Sequence, residues 1–151
     1  MNLIEAIQEV ILLTQNEVIR KAVTLRTELA PELQPVWGDR VQLQQVLLNR
    51  IMNGIEAMTS VNNRPRELII SSRFDESGQV LVAVQECGEG IDQKNLGKIF
   101  DAFYTSKSQG MGMAISRSII EAHGGRPWAS RNVGSGATVQ FTLPLLGAYQ
   151  A

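Results

Sequence analysis

The chain has 151 residues, 44% of them hydrophobic and 19% charged, which suits one folded domain with a sizeable core and argues against wholesale disorder. Its formal net charge is −1 and its basic residues are scattered, so there is no footprint for nucleic acid and little to draw it to a membrane surface. One cysteine, one histidine, no apolar run near the roughly 20 residues of a membrane span and no opening signal peptide exclude an intrachain disulfide, a metal finger and a spanning helix; the expectation is a soluble, cytoplasmic protein.

Asn2 reads as the N-cap of an amphipathic helix in which Leu3, Ile7, Val10 and Ile11 repeat at helical spacing, and a second helical piece is predicted through Glu17–Lys21. Val23 to Leu29 alternates with period two and predicts a strand. Pro31 and Pro35 make Ala30 to Trp37 a connector, and Asp39 is the N-cap of the next helix. That helix, Gln42 to Met58, turns Leu43, Leu47, Ile51, Ile55 and Met58 to one face. Gln45, Asn49, Asn53 and Glu56 stack on another. Two asparagines one turn apart are poor helix formers, so the stripe is either a plain solvated face or a set of oxygen donors for a hard cation such as Mg²⁺.

Glu67–Phe74 and Gln79–Cys87 predict two strands joined by the turn Asp75-Glu76-Ser77-Gly78. In the second strand Val80, Val82 and Val84 share a face that Glu86 continues. A carboxylate in that row must be hydrogen-bonded, or else emerge from the sheet into water. Gly88 and Gly90 follow, spaced for close approach of a ligand to backbone or simply for a turn. Ile99 to Tyr104 is an aromatic cluster, and Thr105 to Gln109 is polar with Lys107 in its middle. Gly110-Met111-Gly112-Met113 then leads into a helix over Ala114–His123, stopped by Gly124-Gly125. Glycines before a helix can present free N–H groups to a phosphate, although neither a Walker loop nor a Rossmann fingerprint is present. His123 is open to reading as a phospho-acceptor or a base, but its place in the last helical turn suits the helix dipole. Strands near Trp128–Arg131 and Ala137–Leu143 flank Asn132 to Gly136, and Pro144 closes the sheet.

In order, Asn49-Arg50-Ile51-Met52-Asn53, Glu86-Cys87-Gly88-Glu89-Gly90, Phe100 to Lys107 and Gly110-Met111-Gly112 resemble the N, G1, F and G2 boxes of sensor histidine kinases. Gly134-Ser135-Gly136-Ala137-Thr138 through Pro144 is similar to the end of the same domain. The resemblance implies the Bergerat (GHKL) ATP-binding fold shared with gyrase B, Hsp90 and MutL: an α+β two-layer sandwich whose mixed, mostly antiparallel sheet is covered on one face by helices. It implies one domain over residues 1–146 with a tail at 147–151.

It also implies a site. Asn53 would be the Mg²⁺ ligand and Asn49 a neighbouring phosphate-side group, with Glu86 where the family has the Asp that accepts the adenine amino group. Gly88 and Gly90 would let adenine and ribose approach the backbone, and Ile91 and Phe103 would belong to the nucleotide-binding set. Lys107 would be a phosphate cation in the lid. Gly110 and Gly112 would offer N–H groups to the triphosphate at the helix start, with Met111 and Met113 in the nucleotide-binding set, and Thr138 would stand near the adenine. Catalysis would fall to Asn49 and Lys107.

Three departures stand out: Glu86 adds about 1.5 Å of reach over Asp, Arg50 replaces an apolar residue, and the G2 region is shorter than in close relatives. The implied activity is binding of Mg-ATP and donation of its γ-phosphoryl group to a histidine on a dimerisation helix hairpin, with a response regulator as indirect partner. That hairpin histidine has no counterpart in this chain, and Asn49 stands where hydrolytic relatives carry Glu, so the isolated chain is expected neither to autophosphorylate nor to hydrolyse ATP rapidly. A stand-alone serine kinase of the anti-sigma type and a degenerate nucleotide module serving as an interaction domain are the alternatives.

Overall fold

The computed structural model describes residues 1–30, 35–59, 61–62, 64–87, 110–131 and 136–145, with 110–114 and 131 described as backbone only. Helix α1, Leu3–Arg20, starts where the Asn2 side chain accepts the Glu5 N–H at 3.2 Å. Leu3, Ala6, Ile7, Val10 and Thr14 form its buried stripe. The two helical pieces expected here are one helix, because Thr14 is buried and satisfies its hydroxyl within the turn by donating to the Ile11 carbonyl at 3.0 Å. Ala22, with φ of 52°, swings the chain out of the helix into strand β1, Val23–Leu29.

Helix α2, Arg40–Ala57, begins at Asp39, whose carboxylate accepts the Gln42 N–H at 3.0 Å. Its buried residues, Leu43, Val46, Leu47, Arg50, Ile51, Gly54 and Ile55, recur at helical spacing. Strands β2, Arg66–Phe74, and β3, Val80–Glu86, form the expected hairpin. Asp75 organises its turn by accepting the Ser77 hydroxyl and the Ser77 and Gln79 N–H groups, which hold its carboxyl below the usual range. Helix α3, Gly110–Ala122, contains the glycines that were expected to precede it. It ends in a Schellman turn: Gly124, φ 78°, donates to the Glu121 carbonyl at 3.0 Å and Gly125 to the Ile120 carbonyl at 2.9 Å. Strands β4, Pro127–Arg131, and β5, Ala137–Leu143, complete the sheet.

The strand order is β1-β2-β3-β5-β4, with β1 parallel to β2 and every other pair antiparallel. The helices cover one face, α1 against α2 and β1, α2 against β2 and β3, and α3 against β4 and β5. Side chains alternate across each strand. Leu68 and Ile70 of β2, Val80, Val82 and Val84 of β3 and Phe141 and Leu143 of β5 therefore meet Ile7, Val10, Leu43, Leu47, Ile51 and Ile120 of the helices in one core. This is the two-layer mixed-sheet fold that the box order implies.

Candidate functional site

Helix α2 carries Asn49 and Asn53 half-buried on its polar stripe, while Gln45 is exposed. Ser116 of α3 lies against this stripe, 3% exposed, and Asn49 Nδ2 donates to its Oγ at 3.4 Å. An amide that gives its nitrogen to α3 turns its oxygen the other way. Oxygen donors of this kind suit a hard cation that keeps waters and phosphates in its shell. Among the described residues no cluster of His, Cys, Asp and Glu competes for that role.

Strand β3 delivers Glu86 on the core-facing side set by Val80, Val82 and Val84, and the residue is only 8% exposed. It does not emerge into water. Ala137, its register partner on β5, donates its N–H to Glu86 Oε1 at 2.9 Å in a buried bond. A carboxylate has about four lone-pair sites, so this bond engages one of them. Gly136, φ 90°, permits the approach of β5, since a Cβ there would stand 1.9 Å from the Glu86 carbonyl oxygen. Just beyond, Arg64 Nη2 donates to the Cys87 carbonyl at 2.9 Å and Cys87 Sγ to the Pro65 carbonyl at 3.2 Å, which fix the exit of the strand.

Thr138 is not on this side. It pairs with Gln85 and Ser130, and in an antiparallel pair partners share a face, so Thr138 points to the surface of the sheet away from Glu86. The parity was readable in the apolar set Ala137, Val139, Phe141 and Leu143. The residue that meets Glu86 is Ala137, through its backbone. Gly110, Met111, Gly112 and Met113 form the first turn of α3, where N–H groups lack intrahelical partners and the dipole favours an anion. The Met111 and Met113 side chains, and all of Gly88, Gly90, Ile91, Phe103 and Lys107, lie outside the described residues, as does the 147–151 tail.

Arg50, one turn before Gly54, is 3% exposed, and burial pulls its pKa down to about 10. It neither snorkels nor is neutral at physiological pH. At the other end of α2, His123 is 4% exposed. Its Nε2 accepts the Asp39 N–H at 3.0 Å, so the neutral ring carries its proton on Nδ1 and donates it to the Ile119 carbonyl at 2.7 Å. Trp37 packs edge-on at 5.4 Å. His123 is thus tied into the start of α2, as its place beside a glycine stop suggested. Sequence reasoning missed Gly54, Gly136 and Ala137, which carry no polar side chain and support the site by position, and Ser116, whose hydroxyl meets Asn49.

The profile of histidine kinase-, DNA gyrase B- and HSP90-like ATPases matches residues 38–147, from the turn before α2 to just past β5. The chain belongs to this family. Among members of the ATPase family, the sensor protein FixL of Bradyrhizobium diazoefficiens is 44% identical over 124 residues, 81% of this chain but only 24% of FixL. The nucleotide-free catalytic domain of the histidine kinase ThkA has 33% identity and a TM-score of 0.83, covering 95% of this chain and 93% of that one. ThkA in complex with the response regulator protein TrrA matches at a TM-score of 0.81 and 31% identity, over 95% of this chain and 40% of that one. ATP is the nucleotide of the ATPase family. The matched span takes in the helix with the two asparagines, the strand ending in Glu86 and the helix beginning at Gly110.

Proposed function

We propose that residues 1–146 form one catalytic domain that binds Mg-ATP and passes the γ-phosphoryl group to a histidine on a helix hairpin outside this chain, in the service of a response regulator in the cytoplasm. The observation that carries the reading is the buried Glu86 carboxylate at the end of β3, anchored by Ala137 and lying beside the helix of Asn49 and Asn53. Glu86 accepts the exocyclic amino group of adenine, a role that suits a buried acceptor already aligned by a backbone donor. Asn53 holds the metal and Asn49 contacts the phosphate side, its amide oriented by Ser116. Mg²⁺, when bound, neutralises phosphate charge in such sites. The first turn of α3 offers N–H groups to the phosphates, with Lys107 as an added cation.

Support for a kinase rather than a rapid ATPase comes from Asn49, whose amide cannot take a proton from water as a carboxylate can. The sensor-kinase relatives favour this reading over a serine kinase of the anti-sigma type. Calorimetric titration with ADP, with and without Mg²⁺, tests binding: the chain should bind, and Asn53→Ala should remove the metal dependence while leaving the fold intact by circular dichroism. Silence at millimolar Mg-ADP would leave the degenerate module standing instead. With γ-labelled ATP the pure chain should take up no label, and should label a supplied histidine hairpin from a parent kinase.

A further inference from the structure

Strand β1 is an edge of the sheet, and among the described residues no strand pairs with its outer side. The Ala30 N–H goes inward, to the Ser72 carbonyl of β2 at 3.0 Å. Backbone groups alternate along a strand, so Glu28 and Arg26 also turn theirs to β2, while Leu29, Thr27 and Leu25 turn theirs to the open side. Side chains alternate as well. Val23, Leu25, Thr27 and Leu29 lie on the helix face, with Val23 in the core and Leu25 and Leu29 half-buried against it. Thr24, Arg26 and Glu28 stand exposed on the other face. Thr27 is exposed although it looks toward the helix layer, so no described helix stands over it.

The helix layer is apolar on the same side of the molecule. Glu9 of α1 is ion-paired to Arg40 of α2, so the flank of α1 opposite Glu9 is the outer one. Ile4, Ile11 and Val18 recur on that flank at seven-residue steps, and each stays half-buried.

We propose that this edge pairs with the same edge of a second copy of the chain, antiparallel and two-fold about Thr27. Leu25-Arg26-Thr27-Glu28-Leu29 is a chemical palindrome. In this register Thr27 faces Thr27 and Leu25 faces Leu29 of the second copy, each pair exchanging both N–H···O bonds through the groups that β1 turns outward. Arg26 of each copy then opposes Glu28 of the other in the closer, non-hydrogen-bonded pairs. Edge charges ordinarily discourage pairing, but this register matches them. An axis centred on Arg26 or on Glu28 would instead set like charges face to face. Arg26 also reaches Glu67 of its own chain at 3.2 Å on the same face, and five guanidinium donors can serve both acids. A two-fold axis normal to the sheet keeps both helix layers on one face. The two five-stranded sheets run on as one, and the Ile4, Ile11 and Val18 flanks come together above the seam. The pairing does not rest on the nucleotide site.

Sedimentation equilibrium over a concentration series tests it, with circular dichroism and thermal unfolding for every variant. An edge-to-edge interface is small, so the expected dimer has a Kd on the order of 10–100 µM. Glu28→Arg and Arg26→Glu each place like charges across the seam and should weaken self-association by about tenfold or more. An equimolar mixture of those two variants should recover a heterodimer near wild-type affinity, because every cross-seam pair then has opposite signs. In hydrogen exchange the Leu25, Thr27 and Leu29 amides should slow as concentration rises, while those of Arg26 and Glu28 should not change. A chain still monomeric at about 1 mM overturns the proposal, and so does a dimer indifferent to both charge reversals, which would place the contact elsewhere. Should either reversal fail to fold, Thr27→Pro decides: it removes only an outward N–H of an edge strand and should leave a folded monomer, and a dimer that survives it overturns the pairing.

Discussion

The two ends of the helix layer bury polar groups in opposite ways. At the start of α2, His123 takes the Asp39 N–H on one nitrogen and gives its proton to the Ile119 carbonyl from the other, while Asp39 caps its own helix at Gln42. A Cβ at Gly38 would stand 2.6 Å from His123 Cδ2, so the backbone itself seals this end. Both ring nitrogens are consumed by the fold. Toward the other end of α2, Glu86 brings a carboxylate that accepts the Ala137 N–H to a place next to a helix carrying two half-buried asparagines. A buried polar group matched one-for-one by its own fold is architecture. A carboxylate buried at the end of a strand beside a helix that carries two half-buried asparagines is a candidate for a ligand.

That contrast can be broken by exchanging the consequences. His123→Ala should destabilise the chain by about 2–4 kcal/mol, through a cavity and an orphaned Asp39 N–H. In chemical denaturation the loss should be plain, while ADP affinity of the folded fraction stays within about twofold. His123→Gln, which keeps an acceptor, should restore part of the stability. Glu86→Gln should do the reverse: a loss of about 1.5–3 kcal/mol in nucleotide binding with a smaller change in unfolding free energy, since a neutral amide accepts a weaker hydrogen bond. If His123→Ala abolishes binding in a chain that remains folded, the first end is not merely architectural and the division fails.

How much of this was legible before the structure follows the same line. Strand parity, the Asn2 and Asp39 caps and the Asp75 turn rest on local patterns, and each is where the residues indicated. The split of α1 into two helical pieces missed that the buried Thr14 continues the helical stripe. The start of α3 at Gly110 also went against local preference, because glycine propensity alone argues for a loop. Thr138 was carried over from motif position when alternation from Phe141 would have put it on the far face. Gly54 could not be read at all: its importance lies in a distance to Leu68 and Glu86, residues that only the folded sheet brings under α2.

Arg50 sits between the two ends and belongs to neither, which makes it the next test. Its pKa, held at about 10 by burial, corresponds to a desolvation cost of about 3 kcal/mol, set against the interactions the guanidinium makes. The folded chain releases this proton near pH 10 and the unfolded chain only at a higher pH, the usual one for a guanidinium. Between those values the unfolded state holds more protons, so stability rises with pH there, and below pH 10 the cost is constant. Arg50→Met should therefore be about 1–2 kcal/mol more stable at neutral pH, with the advantage shrinking above pH 10 in paired denaturation curves. A less stable methionine variant would mean that the guanidinium's partners outweigh its desolvation, placing Arg50 with the self-satisfied end.

The smallest effect is expected at Ser72, on the core face of β2 beyond Leu68 and Ile70. It is 3% exposed and its Oγ has no partner among the described residues. Here a polar atom is buried with neither an anchor nor a neighbouring donor set. Desolvating a hydroxyl without a bond costs about 1–3 kcal/mol, so Ser72→Ala, which removes the oxygen and leaves a void smaller than a water, should gain about 1 kcal/mol in unfolding free energy. ADP affinity should not move. The outcome separates burial from use: an unmatched hydroxyl four residues along β2 from the partner of Glu86 should behave as a defect that alanine repairs, whereas a loss of affinity in Ser72→Ala would mean that this hydroxyl is coupled to the site.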